Sequence, residues 1–208
     1  LRLIYGGDVA PVNTDLIPNY ADIFENLKMQ QWNSVAGVAY GIPHGRGANL
    51  LAYRTDIVKP APTSWASVFD VNSPYKGKIT AYDSPIYIAD AALYLMETKP
   101  ELGIKYPYAL DQTQFDAAVE VLKAQKPLIG EYWGDYLKHV ASLKSGGTVL
   151  GTTWQVNINL AKGEGTKVEG IKPAGGSTGW SDTWMVSSKA KNPNCAYMWM
   201  NHIASPAA

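Results

Sequence analysis

Cysteine is almost missing from the chain: Cys195 stands alone among 208 residues, so no disulfide closes within it and no thiolate cluster can hold a metal. Histidine is nearly as scarce, and His44, His139 and His202 show no HxH or HxxxH pairing, which leaves no zinc signature. Neither sign of charge dominates, because 18 Lys and Arg balance 18 Asp and Glu. A neutral chain without a basic run lacks the electrostatic footprint of a nucleic-acid binder. No apolar stretch approaches the roughly 20 residues of a membrane-spanning helix. The phosphate loop GxxxxGK(S/T), the nucleophile elbow GxSxG and the dinucleotide fingerprint GxGxxG are absent. Asp70-Val71-Asn72 opens like a calcium loop, but Pro74-Tyr75 breaks the pattern. Nothing asks for a metal or a cofactor, and no catalytic residue is assigned. Leu1-Arg2-Leu3-Ile4-Tyr5 shows neither a charged leader nor an initiator Met. The pattern opens midway and stops just after a helical segment, as expected of an internal fragment.

What is abundant is 7 Trp and 13 Tyr against 3 Phe. Both residue types carry a polar tip on a large apolar body, which suits half-wet ligand clefts as well as ordinary sheet and core positions. Helical periods alternate with short β-rich runs. Gln112 to Gln125 repeats apolar residues at Phe115, Ala118, Val119 and Leu122, with Asp111 as N-cap and Pro127 beyond the end. Asp135 to Ser145 puts Tyr136, Val140 and Leu143 on one face and is stopped by Gly146-Gly147. Ser84-Pro85 and Asn192-Pro193 read as helix starts. The first leads through Ala89, Leu93 and Met96; the second aligns Ala196, Trp199, Met200 and Ile203. Lys78 to Tyr82, Thr148 to Thr153, Lys167 to Ile171 and Thr183 to Ser187 read as strands. Strands separated by helices predict an α/β fold with a largely parallel sheet. Gly41 to Gly47 and Pro173 to Gly179, both Gly- and Pro-rich, read either as surface loops or as two chain crossings between lobes.

Carboxylates beside aromatics mark the strand ends. Asp83 follows the strand that ends at Tyr82 and precedes the Ser84-Pro85 helix start. Ligands of open α/β sheets sit beyond the carboxyl ends of strands, although an acid at a helix start also serves the helix dipole. Trp154 ends the strand 148–153, and Trp180-Ser181-Asp182 sets an aromatic and a carboxylate two apart, on one side of an extended chain. A carboxylate flanked by indole rings suits an organic cation, at ~0.5–2 kcal/mol per ring face and ~1.5–3 kcal/mol per charge-assisted hydrogen bond.

The segments YGIPHGRGANLLAYRTD (Tyr40 to Asp56), TSWASVFDVNSPYKGKITAYD (Thr63 to Asp83), VLGTTWQVNINLA (Val149 to Ala161) and STGWSDTWMVSSKAKNP (Ser177 to Pro193) resemble the polyamine-binding (spermidine/putrescine) family of periplasmic solute-binding proteins. The resemblance implies a two-lobe periplasmic-binding-protein fold, type II-like and incomplete at both ends, closing on its ligand like a clamp. Residues 1–46 and 175–208 would belong to lobe one and residues 47–174 to lobe two. It further implies a non-enzymatic, monomeric, extracytoplasmic subunit of an ABC importer. Its partners would be a small cationic ligand and a membrane permease. Asp83, Trp154, Trp180 and Asp182 match the family's ligand-contacting positions. The family pattern carries a second acidic contact three residues after Asp83, where this chain has Ile86. Glu131, with Tyr132 in the loop 130–133, is the candidate substitute. A partner for Cys195 would lie outside the chain.

Two rival readings remain open on the residues alone. One is a sister binding protein for a sugar, amino acid or cofactor, which Ile86 favours. The other is a glycoside hydrolase with Asp83 and Asp182 as its carboxylate pair, which requires the two about 5–9.5 Å apart.

Overall fold

In the computed structural model, which describes residues 1–208, the chain changes packing partners after Arg46 and after Gly179. The first unit comprises Leu1–Arg46 with Trp180–Ala208, and the second comprises Gly47–Gly179. In chain order the elements are α1 (Arg2–Tyr5), β1 (Val9–Ala10), β2 (Ser34–Val35), β3 (Val38–Ala39), β4 (Gly41–Ala48), β5 (Leu50–Arg54) and α2 (Ala66–Phe69). There follow β6 (Ile79–Tyr82), α3 (Ile88–Thr98), α4 (Gln112–Gln125), β7 (Ile129–Trp133), α5 (Tyr136–Ser145), β8 (Leu150–Thr153) and α6 (Gln155–Gly163). The chain ends through β9 (Val168–Ile171), β10 (Gly179–Ser187) and α7 (Pro193–Ile203). None of the helices is long and apolar enough to cross a membrane.

The first unit is built on a three-stranded sheet in the order β1-β10-β4. Gly41 to Gly47 is therefore a strand rather than a surface loop, and the chain passes from the first unit to the second within it, after Arg46. Pro43 is tolerated because β4 lies at the sheet edge. Gly41 lets β10 approach, since a Cβ there would sit 2.6 Å from the Trp184 carbonyl oxygen. Val12, Ile17, Ile42, Val186 and Met200 form the core. On α7 only Met200 is buried, whereas Trp199, expected on the same inward face, is 49% exposed. Cys195 is free and exposed.

The second unit carries a five-stranded sheet, β7-β6-β8-β5-β9. β6 runs parallel to β7 and β8, and β5 is antiparallel to both β8 and β9. Four strands thus run one way, and β5 alone is inserted against them, so the sheet is mixed rather than purely parallel. Successive strand residues face opposite sides, and Leu51 and Ala52 accordingly enter different cores. Leu51 joins Trp65, Ile79, Leu95 and Leu150, while Ala52 joins Val140, Leu143, Ile158 and Val168. Helices cover both faces, the α/β layering that the alternating pattern predicts.

Local chemistry explains several helix ends. Asp111 caps α4 in a capping box with Gln114. The Asp135 side chain accepts from Leu137 N and Lys138 N to start α5, which Gly146 ends at φ 76°. Ser84 accepts from Ile86 N, but the first turn after it, Pro85–Tyr87, is 3-10 before α3 begins. The α4 face is rotated from expectation. Ala118 and Gln125 are buried, with Val121 packed on the core, and Phe115 is 44% exposed. Tyr136 likewise lies outside the buried α5 face, which is His139, Val140 and Leu143.

By packing, the second unit ends at Gly179, five residues beyond the lobe boundary expected at Ala174. Thr178 and Gly179 are bound inside the second unit: Asn49 N donates to Thr178 O at 2.9 Å, and the Tyr108 hydroxyl both donates to Gly179 O and accepts from Gly179 N.

Candidate ligand-binding site

Because β7, β6 and β8 are adjacent and parallel, their carboxyl ends share one edge of the second unit. Tyr82-Asp83, Tyr132-Trp133 and Trp154 all emerge there. The β6–β7 register pairs Tyr82 with Trp133, and Asp83 N continues the ladder by donating to Trp133 O at 2.8 Å. Tyr82 N donates to the Thr152 hydroxyl of β8 at 2.9 Å.

Three rings cluster at this edge. Tyr82 and Trp133 have centroids 4.8 Å apart, Tyr82 and Trp154 5.2 Å, and Trp133 and Trp154 4.9 Å, the last two edge-on. Edge-to-face pairs at such distances gain from the ring quadrupoles beyond the area they bury. Trp133 is buried and fixed from two sides. Its Nε1 donates to Thr152 O at 3.1 Å, and the His139 imidazole stacks on it at 4.6 Å. The Thr153 hydroxyl donates to Trp154 O, so its oxygen is left to accept from His139 Nε2–H at 3.0 Å. Burial lowers the His139 pKa to about 4, keeping the ring neutral at physiological pH.

Asp83 is exposed at the same edge, and the ion pairs of the chain are all made elsewhere. It leaves β6 on the side opposite Tyr82, with Tyr132. Partial burial and then the Asp83 charge raise the Tyr132 phenol above its ordinary value. Tyr82, Asp83 and Tyr132 line one wall of an open depression of about 470 Å³, closed by Ile88, Phe115 and Leu122. An unpaired carboxylate with a half-exposed phenol and an aromatic cluster beside it can take a cation, pairing its charge and covering its carbon chain.

Behind Trp154 lies a second polar group. Its Nε1–H donates to Asn49 Oδ1 at 3.1 Å, Asn49 Nδ2 donates to Thr178 Oγ1 at 2.6 Å, and the Thr178 hydroxyl donates to Asp90 Oδ1 at 2.5 Å. Asp90 is 2% exposed in the interior face of α3. Burial raises its pKa to about 7, and the Thr178 hydrogen bond only partly opposes this.

The sequence-derived residues are placed as follows. Asp83, Trp154 and Tyr132 meet at the second unit's strand edge. Glu131 lies within β7 rather than in a loop, opposite Thr80, with one carboxylate oxygen buried and without a protein hydrogen-bond partner. Trp180, half-buried, and Asp182, exposed, lie on β10 of the first unit, two apart and so on one face. Tyr82 and Trp133, together with Asn49, Asp90 and Thr178, were not anticipated. A Tyr-Asp and a Tyr-Trp pair at the ends of two strands were the available signal for the first two. The latter three sit far apart in sequence and leave none.

Comparison with known proteins gives the family and the fold. The family profile described as bacterial extracellular solute-binding protein matches residues 2–208. The spermidine/putrescine-binding periplasmic protein of Salmonella typhimurium is 26% identical over 168 residues, 80% of this chain and 45% of that protein. Among solved structures, a putative spermidine/putrescine ABC transporter protein from Listeria monocytogenes matches with a TM-score of 0.82 at 16% identity, covering 99% of this chain and 60% of its own. The spermidine/putrescine substrate-binding protein of Streptococcus pneumoniae gives 0.77 at 18%, covering 99% and 59%. The chain thus spans less than half the length of the Salmonella relative, and the solved structures share its fold.

Proposed function

We infer that this chain, which belongs to the bacterial extracellular solute-binding protein family, serves as the ligand-holding subunit of an ABC importer for a small organic cation, a di- or polyamine. It works outside the cytoplasm, delivers its ligand to a membrane permease, and binds without transforming it. The observation that carries the reading is the exposed carboxylate of Asp83, free of any ion pair, at the parallel-strand edge that also gathers Tyr82, Trp133 and Trp154. An ammonium at Asp83 would gain ~1.5–3 kcal/mol from the charge-assisted bond and ~0.5–2 kcal/mol from each ring it faces. Two such ends on one diamine are of the size needed for micromolar affinity, about 8 kcal/mol. Both carboxylates of the proposal act as anchors for the amine ends, a role that calls for no reacting water. A ligand-contacting role for Trp180 and Asp182 is part of the same proposal.

Calorimetric titration of the whole protein with putrescine, spermidine and a neutral sugar tests it. Micromolar binding of an amine is expected, with loss of tenfold or more in Asp83→Asn and, separately, in Asp182→Asn; about 1.4 kcal/mol is tenfold. Absence of amine binding below about millimolar would sink the ligand assignment, and unchanged affinity in Asp83→Asn would move the site. A second reading, a binding protein for another solute, is favoured by Ile86. This apolar side chain, 44% exposed, stands where the family resemblance calls for a second acid. Binding of the sugar in place of the amines would select it.

A further inference from the structure

Asp90 is a buried carboxyl that the proposed binding chemistry does not use. An ionisable group removed from water costs several kcal/mol unless well compensated, and the hydrogen bond found for it comes from one neutral hydroxyl, Thr178. An apolar residue of similar size would fill that place on α3 at less cost. The donors that converge on it are ordered. Trp154 Nε1–H, Asn49 Nδ2–H and the Thr178 hydroxyl each donate one step nearer to Asp90. Hydrogen bonds aligned head to tail polarise one another, and here the polarisation ends on a carboxyl in a low-dielectric interior. Asn49 N also donates to Thr178 O at 2.9 Å, so these residues are doubly tied. Asn49 opens the second unit's chain and Thr178 closes it, which gives the indole of Trp154 an anchor on both of its terminal segments as well as on α3.

We propose that Asp90, acting through Thr178 and Asn49, is a positioning residue that fixes the indole of Trp154 for cation binding. The relay holds the ring by its N–H edge and so sets the direction of its π face, on which attraction to an ammonium depends. The link to affinity rests on the amine-binding reading above; the link to the indole does not.

Thr178→Val cuts the relay, Thr178→Ser keeps the hydroxyl, and Asn49→Ala cuts it at a half-buried position one link nearer the ring. Each full-chain variant is measured three ways: thermal melting, spermidine and putrescine titration, and the Trp154 indole N–H resonance, identified by its loss in Trp154→Phe. With the relay cut, the indole N–H should move upfield and exchange faster in the ligand-free protein. Amine affinity should fall roughly three- to thirty-fold, the range of one lost cation–π contact, and Thr178→Ser should recover both. Should Thr178→Val fail to fold, Asn49→Ala carries the same comparison. The proposal is overturned if the cut variants change melting alone, with the indole resonance and affinity at parent values. It is equally overturned if Thr178→Ser falls as far as Thr178→Val. If the parent itself binds neither amine, the reading of the ligand fails, and the indole resonance alone decides the relay.

Discussion

Burial holds Asp90 protonated up to about pH 7 and His139 neutral down to about pH 4. Both lie in the second unit, and they bias its stability in opposite senses over one interval. For Asp90 the unfolded carboxyl titrates near 3.8, so above that value the folded chain binds the extra proton. Its contribution is fully present below 3.8 and is lost as pH rises through about 7. For His139 the unfolded imidazole titrates near 6.5, so below that value the unfolded chain binds the extra proton. Its contribution is fully present above 6.5 and is lost as pH falls through about 4. Each limb has a slope of about 1.4 kcal/mol per pH unit, and between pH 4 and 6.5 the two cancel.

Single substitutions should uncover the hidden limbs. Asp90→Asn keeps an oxygen to accept the Thr178 hydroxyl and removes only the titration. Its stability relative to the parent should rise by about 3 kcal/mol from pH 4 to pH 6.5. His139→Gln keeps a donor for Thr153, and its relative stability should fall by a similar amount, about 3 kcal/mol, over the same range. Urea unfolding followed by circular dichroism at half-unit pH steps gives both difference curves. A constant offset in either variant would reflect altered packing and leave the slope intact. Difference curves flat in pH would refute the argument, as would slopes of the same sign in the two variants.

Two further variants test the frame that carries the site. Gly151 sits at φ 153° with its Cα against β6, and a Cβ there would lie 2.0 Å from Thr80 O. Gly151→Ala should therefore cost about 2–5 kcal/mol through overpacking and strain, read in the same urea titration. Asp111→Ala removes the capping box of α4 and should cost about 1 kcal/mol without changing amine affinity.

The α/β class was legible because the chemistry that sets it is local. Asp111 with Gln114 starts α4, Asp135 starts α5 and Gly146 ends it, each acting within one helical turn, and Ser84 with Pro85 starts the 3-10 turn that leads into α3. Reading failed where tertiary packing overrides a local signal. Gly41 to Gly47 has the composition of a linker, yet as an edge strand it can accept Pro43, and the lack of a side chain at Gly41 is what admits β10. On α4 the apolar stripe containing Phe115 and the stripe centred on Ala118 and Val121 differ by part of a turn. The small residue Ala118 goes inward where α4 packs against α2 and α3, and Phe115 is turned to the rim of the depression beside Asp83.

The site divides along the same line. Asp83 and Trp154 could be found because each follows a strand and precedes a helix start, the position where a parallel sheet presents ligand contacts. Tyr82 and Trp133 become neighbours only through the β6–β7 register, and no spacing within either segment reveals it. Asn49, Asp90 and Thr178 are separated by 129 and 88 residues along their two hydrogen bonds, so they share no pattern at all. A resemblance that transfers residue by residue selects the side chains expected to touch a ligand. The hydrogen-bond network behind such a side chain is fixed by chain segments meeting in three dimensions, which is why Trp154 was readable as a candidate contact and its support was not.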